Sequence, residues 1–244
     1  MPEAERIWIM GASDGIGAAL ARVWAGRGAR LVLSARSSDR LESLAAEIGG
    51  AELVAADTAD PAAMADAAGR IAAGGPLDRA VTLAALYDPG RAMELDAARA
   101  ARIVATNLAG SLVFAQTAVP LLRPGGQLAL TGSVAGYLGL PQGQVYSATK
   151  AGVINLAETL RTELHGRADV RLICPGFVDT RLTQKNDFEM PGLMTPEAAA
   201  ARIAAGLDRR GFEIHFPRRL TLPLKLLRAM PYALSLRLAR RLLR

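Results

Sequence analysis

One cysteine, Cys174, and two histidines, His165 and His215, are all that this 244-residue chain has of the residues that most often staple or metallate a fold. A lone thiol excludes an internal disulfide, and one Cys with two His excludes a Cys/His metal cluster. There is no G-x-S-x-G elbow on which a Ser/His/Asp hydrolase would mount its nucleophile. The opening MPEAERIWIM carries acids and no long apolar run, so no signal peptide is expected and a cytoplasmic location follows. No Ser/Pro/Gly-rich linker, low-complexity run or internal repeat divides the chain, which predicts one principal domain.

Acid is also missing from one end. All 23 Asp and Glu lie in residues 1–213, and the last 31 residues hold eight of the 29 Lys and Arg. The remaining 21 basic groups nearly balance the 23 acids, so the net charge of +6 belongs to the tail. A near-neutral body lacks the basic footprint of a nucleic-acid binder, and no nucleic-acid partner is expected.

What is present is apolar and periodic. Hydrophobic residues make up 51% of the chain, enough for a sizeable core. RIWIM, ARLVLS, AELVAA, RAVTLAA, QLALTG, DVRLIC and FEIHF are the candidate strands, and several are continuously apolar. A strand apolar on both faces is buried on both, as in a parallel sheet covered by helices. The segments between, such as GIGAALARVWAGRG and DRLESLAAEIGG, have helical spacing and end in Gly. Seven strands with six helical connections predict a doubly wound, Rossmann-like α/β fold: a central, mostly parallel seven-stranded sheet with helices on both faces.

The first strand runs into GASDGIG, where Gly11, Gly15 and Gly17 open a helix with Ser13, Asp14 and Ile16 between them. Glycine lets the backbone approach a pyrophosphate closely, and the helix N-terminus supplies N–H groups and partial positive charge. A structural strand-to-helix turn reads the same way in isolation. Farther on, TGSVAGYLGLPQGQVYSATK places Ser133, Tyr146 and Lys150 among small and apolar residues. Reduction of a carbonyl needs a proton donor, and a free phenol, with pKa about 10, is a poor base for the reverse. Four apart on a helix, Tyr146 and Lys150 share a face, and the ammonium is expected to lower the phenol's pKa. Ser133, ending the fifth strand, would hold the substrate oxygen beside the Tyr hydroxyl.

Taken together, the G-x-x-x-G-x-G loop and the Ser133, Tyr146 and Lys150 spacing resemble the short-chain dehydrogenase/reductase family. The matches run in order from residue 11 to 180. The resemblance implies that Asp57 lies near an adenine, that Asn107 in TNLAG holds a water joining Lys150 to solvent, and that Pro175, Gly176, Val178 and Thr180 of PGFVDT flank a nicotinamide. It also implies that Asn107, Ser133, Tyr146 and Lys150 form the catalytic set, with Asn107, Tyr146 and Lys150 also touching the cofactor, in a homo-oligomer, dimer or tetramer. Two departures stand out: Met10 precedes the first Gly where Thr is usual, and TLAA, residues 82–85, replaces Asn-Asn-Ala-Gly. The second removes amides that normally tie the fourth strand down. On it rests the competing class, a dinucleotide-binding regulatory or scaffold protein with little turnover.

An acid at position 35 would bind both ribose hydroxyls and repel a 2′-phosphate, but Ala35 is neutral and Arg36 follows it. NADP(H) is therefore expected over NAD(H), the alternative being that Arg36 is a solvated loop charge. Val134, Tyr137, Leu138 and Leu140, with Phe188, Met190, Leu193 and Met194 of loop 181–200, suggest an apolar small-molecule substrate under a movable lid; a lid packed shut has the same composition. His165, His215 and Cys174 read as structural. Residues 1–216 then form the dinucleotide-binding domain and 217–244 a basic extension, divided by Pro223 and Pro231. Beyond Pro231, Arg237, Arg240, Arg241 and Arg244 face away from Leu234, Leu238, Leu242 and Leu243. Such a helix fits either peripheral contact with the inner face of a membrane or packing on a partner subunit.

Overall fold

The computed structural model describes residues 4–139 and 141–240. Its sheet contains β1 (Arg6–Met10), β2 (Arg30–Ser34), β3 (Glu52–Leu53), β4 (Leu77–Thr82), β5 (Leu122–Thr131), β6 (Asp169–Pro175) and β7 (Glu213–Phe216) in the order β3-β2-β1-β4-β5-β6-β7. Every neighbouring pair is parallel. The apolar runs explain this. In β1, Ile7 and Ile9 face one core while Trp8 and Met10 face the other, and all four are buried.

Helices α1 (Gly15–Ala25), α2 (Ser38–Glu47) and α7 (Pro196–Leu207) cover the first face, with Leu20, Trp24, Leu41 and Ile203 against Ile7, Ile9 and Leu33. On the second, Met64 and Ile71 of α3 (Pro61–Ala72), Phe114 of α5 (Gly110–Ala118) and Val153 of α6 (Gln144–Glu163) pack on Trp8, Met10 and Leu128. Each such large side chain contributes about 1.5–3 kcal/mol by leaving water. Their starts are written locally: the Asp14, Asp60 and Thr195 side chains accept from the first N–H groups of α1, α3 and α7, and Pro61 and Pro196 follow two of them. A further helix, α4 (Ala97–Val104), leads toward α5. The helical run Ala97–Leu121 is long and apolar enough to cross a membrane by composition. Here Phe114, Ala115 and Ala118 pack it onto the sheet.

Two expectations need adjustment. AELVAA gives a strand of only two residues, although Val54 N–H and Ala56 N–H continue to donate to Leu33 and Ala35 carbonyls at 3.0 and 3.2 Å. Pro223 does not divide the tail, because α8 (Arg218–Ala229) runs through it before α9 (Tyr232–Ala239) begins. Its missing N–H leaves one carbonyl, four residues back, without a helical partner, and the residue is exposed, so water can serve that group.

Candidate active site

Strand order reverses between β1 and β4, and the crevice beyond their C-terminal ends is where a doubly wound sheet opens. A cavity of about 330 Å³ lies there. The phosphate-type loop forms its floor: Gly11 N–H donates to Ser34 O at 2.7 Å, folding the chain back before α1. A Cβ on Gly17 would stand 2.1 Å from the Gly11 carbonyl oxygen, so only glycine permits this turn. Ser13, Asp14, Gly15 and Ile16 line the same wall. The tight turn at the start of α1 fits a pyrophosphate, because it brings backbone N–H groups to the cavity without side chains in the way.

Arg36 and Asp57 line the end beside β2 and β3. Arg40 and Ser37 join Arg36 there, and the Ser37 hydroxyl makes no bond to the α2 N-terminus it precedes. Arg40 was missed in the sequence; its signal was the four-residue spacing from Arg36 across the start of a helix. Arg40 Nη1 lies 3.8 Å from Asp14 Oδ2, and Arg181 Nε, from the substrate loop, lies 2.8 Å from the same oxygen. Pro175, Gly176, Val178 and Thr180 line the opposite wall.

Ser133, Tyr146 and Lys150 also line the cavity. Ser133 ends the β5 connection and accepts from Ala135 N–H at 3.1 Å. Lys150 is almost wholly buried, donates to Thr131 O at 2.8 Å and lies 5.6 Å from the Tyr146 ring centroid. Burial pushes the Tyr146 phenol up to about 12, with the Ser133 hydrogen bond pulling the other way. Burial pulls the Lys150 ammonium down to about 8. The expected lowering of the phenol by Lys150 is therefore not met: burial raises the phenol, and the group that opposes the rise is Ser133 rather than Lys150.

Asn107 is buried behind the wall rather than on it. It sits in a single π-turn, Ala105–Ala109, in which Gly110 N–H donates to Ala105 O. Its Oδ1 accepts from Leu86 N–H at 2.7 Å while its Nδ2 donates to Leu86 O at 2.9 Å and Thr149 Oγ1 at 3.2 Å. The side chain is thus committed to fixing the β4 exit, where TLAA had lost its amides, and Leu83 N–H adds a bond to Met10 O at 2.8 Å.

Tyr87 follows that anchor and was not singled out in the sequence. Its ring stands edge-on to Tyr146, centroids 4.8 Å apart, and its hydroxyl donates to Asn186 Oδ1 at 2.6 Å. Lys185 Nζ donates to Tyr87 O at 3.0 Å, so two bonds fasten loop 181–200 to the residue that packs on Tyr146. A lone aromatic just beyond a C-terminal strand end was the available signal.

Among the described residues, none of the expected substrate-facing side chains lines the cavity. Met194 pairs with Val178, and Phe188 packs on Phe177 with centroids 5.9 Å apart. Met190 Sδ accepts from Asn186 Nδ2, while Leu193 is exposed. Val134 and Tyr137 turn into the second core instead, Tyr137 because its hydroxyl finds the Glu213 carboxylate. Leu140 lies outside the described residues. Cys174 is buried, and burial pushes its thiol up to about 12, so it holds its proton. His215 Nδ1 lies 2.7 Å from Thr221 Oγ1. In the tail, Ser235 and Ala239 are the buried face of α9, while Leu234 and Arg237 are both exposed; Arg241, Leu242, Leu243 and Arg244 lie outside the described residues.

Fold and site together define an oxidoreductase of the Rossmann type with a tyrosine at its centre. The family model described as short chain dehydrogenase matches residues 5–190, and the chain belongs to that family. It is 34% identical over 243 residues to an uncharacterized oxidoreductase of Myxococcus xanthus, covering 96% of each chain. It is also 34% identical over 198 residues to 11-beta-hydroxysteroid dehydrogenase 1A of Arabidopsis thaliana, covering 76% of this chain but 56% of that one. Among solved structures, the alcohol dehydrogenase of Thermococcus sibiricus complexed with 5-hydroxy-NADP superposes with a TM-score of 0.81 at 28% identity, covering 88% of this chain and 96% of that one.

Proposed function

We propose that the protein interconverts a carbonyl and a secondary alcohol on an apolar substrate, with NADP(H) favoured over NAD(H). The observation that carries this reading is the convergence of Ser133, Tyr146 and Lys150 on the cavity that the glycine turn and Arg36 also line. Bound there, a nicotinamide dinucleotide supplies or accepts the hydride. Tyr146, whose phenol is held protonated, gives its proton to the carbonyl oxygen during reduction. Ser133 holds that oxygen in place, and Lys150, a buried cation below its pKa of about 8, favours the phenolate left behind. Asn107 acts by fixing Leu86 and Thr149 around the site, not by touching the reactants.

Arg36, Ser37 and Arg40 at the start of α2 support a 2′-phosphate partner, as does the NADP derivative in the Thermococcus neighbour. The hydroxysteroid dehydrogenase name of the Arabidopsis relative supports an apolar substrate. We assign the reacting groups and the dinucleotide site to residues 1–216, with 181–200 as substrate loop, and the exposed basic face to 217–244. Exposed Val104 and Leu112 on the α4–α5 side support self-association.

Leu222 and Leu226 of α8 and Tyr232 and Leu236 of α9 are exposed, as are Arg218, Arg219, Arg228 and Arg237 of the same two helices. An anionic membrane surface suits this mixture better than a second copy would, since self-pairing sets arginine against arginine.

A panel of aldehydes, ketones including steroids, and secondary alcohols, each with NADPH/NADP⁺ and NADH/NAD⁺, tests the activity by reduced-nicotinamide absorbance. Tyr146→Phe serves as control. Tight dinucleotide binding without turnover of any member would favour the regulatory alternative.

A further inference from the structure

Two residues of β7, Glu213 and His215, project to the side opposite Ile214 and Phe216, which belong to the first core. They meet two residues of α8, Lys225 and Thr221. Two steps of a strand advance about 6.6 Å. Four residues of a helix advance about 6 Å, so the contacts stay in step. Lys225 Nζ donates to Glu213 Oε2, and His215 Nδ1 contacts Thr221 Oγ1.

The second oxygen of Glu213 accepts the Tyr137 hydroxyl, and Lys225 Nζ stands 5.5 Å from the Tyr137 ring centroid. Lys225 and Tyr137 together hold the half-buried Glu213 carboxyl below the usual carboxylate range, although burial alone would raise it. Neither Tyr137 nor Glu213 lines the candidate active site. The cluster therefore contributes no group to the reactants.

Tyr137 nevertheless ends a short segment whose head is Ser133. Ala135 N–H donates to Ser133 Oγ, Gly136 N–H to Ser133 O at 3.0 Å, and Tyr137 N–H to Val134 O at 3.1 Å. The segment lies flat on α6: Ser147 Oγ donates to Ala135 O, and a Cβ on Gly136 would sit 2.6 Å from the Lys150 carbonyl carbon. Its head and middle are thus fixed by the sheet and α6, and its foot by Glu213 and Lys225.

We propose that Lys225 and Glu213, acting through Tyr137, are positioning residues for Ser133, which makes the tail helix α8 part of the catalytic apparatus. The proposal rests on the carbonyl–alcohol reading above. It predicts a cost in kcat rather than in cofactor binding, because the clamp reaches the oxygen-holding serine but not the glycine turn. Lys225→Met keeps the apolar stem and removes the charge; Lys225→Arg keeps the charge; Tyr137→Phe cuts the chain at its other end without touching α8.

The full-length protein and these variants are compared by steady-state kinetics, cofactor titration and hydrogen exchange of the Ala135, Gly136 and Tyr137 amides. Lys225→Met and Tyr137→Phe should each lower kcat about tenfold with cofactor affinity unchanged, the double variant being no slower than either, and Lys225→Arg should recover most of the loss. Exchange at the three amides should quicken about tenfold in both while the centre of α6 stays protected. Unchanged exchange in folded Lys225→Met and Tyr137→Phe would overturn the clamp, and quickened exchange with unchanged kcat would overturn the positioning role. If the wild type turned over no substrate, the assigned activity would fail, yet exchange would still decide the clamp.

Discussion

The ring of Tyr87 meets that of Tyr146 edge-on at 65°, and the same residue holds the substrate loop through Asn186 and Lys185. One residue thereby couples Tyr146 to loop 181–200, through its ring on one side and its hydroxyl and carbonyl on the other. Tyr87→Phe keeps the aromatic contact and removes only the Asn186 bond, so KM should rise several-fold, roughly the 1 kcal/mol of one neutral hydrogen bond, with kcat nearly unchanged. Tyr87→Ala should lower kcat as well. Equal kinetics for wild type and both variants would remove Tyr87 from the site.

Tyr146→Phe should abolish turnover and leave cofactor affinity intact, because only the proton donor is lost. With the phenol raised to about 12, reduction should run well at neutral pH and alcohol oxidation should accelerate as pH rises. Initial rates in both directions across pH 6–10 would test this, and an oxidation rate flat over the range would contradict it.

Lys150 gives a stability signature as well. Its folded pKa of about 8 lies below the ordinary lysine value of 10.5, so between those values the unfolded chain binds more protons and stability rises with pH. Compared with Lys150→Met, the wild type should therefore be at its weakest below about pH 8 and gain as pH approaches 10.5, by at most on the order of 3 kcal/mol. Denaturant unfolding of the pair at several pH values measures the gap. A gap independent of pH would mean that the ammonium is better solvated than its burial implies.

For the cofactor, calorimetric titration should show NADPH bound more tightly than NADH by roughly 1–3 kcal/mol. Arg36→Ala should erase most of that difference and Arg40→Ala part of it, while NADH affinity barely moves. Equal affinities in the wild type would defeat the assignment.

The tail is best tested by point changes rather than by truncation, because Leu224 and Thr221 are buried and removing α8 would uncover core. Full-length protein should co-sediment with anionic vesicles at low salt and release as salt rises, each arginine near the surface contributing about 1 kcal/mol. Leu222→Ser with Leu226→Ser, both exposed, should abolish binding without changing the size of the protein in solution. Loss of self-association in that variant, with no vesicle binding by the wild type, would favour a partner subunit.

Much of this was legible in the sequence because it is local. Continuous apolar runs announced buried strands, and the glycine spacing and the four-residue step from Tyr146 to Lys150 each fit within a single turn or helix. Tyr87 with Asn186 and Glu213 with Lys225 were not legible, since neither residue of either pair has a distinctive neighbour and only the closed fold brings them together. Asn107 shows the intermediate case: its presence was readable, but its pairing with Leu86 depended on the missing amides of residues 82–85. Pro223 misled because a proline reads as a break, whereas here it falls early in α8 and the one carbonyl it deprives, that of Arg219, belongs to an exposed residue.

The π-turn at Ala105–Ala109 also sets how the chain tolerates changes of length. One surplus residue in that turn rotates everything after it by about 100° relative to an uninterrupted helix. Phe114, Ala115 and Ala118 reach the sheet only with that rotation included, while α4 keeps its own phase. Deleting one residue there would close the wide turn into an ordinary α-turn and leave those three side chains on the core, because the turn is where the surplus residue is absorbed. What the deletion would disturb is Asn107, which sits inside the turn and bonds Leu86 from it, so the surplus residue serves the carboxamide rather than the packing.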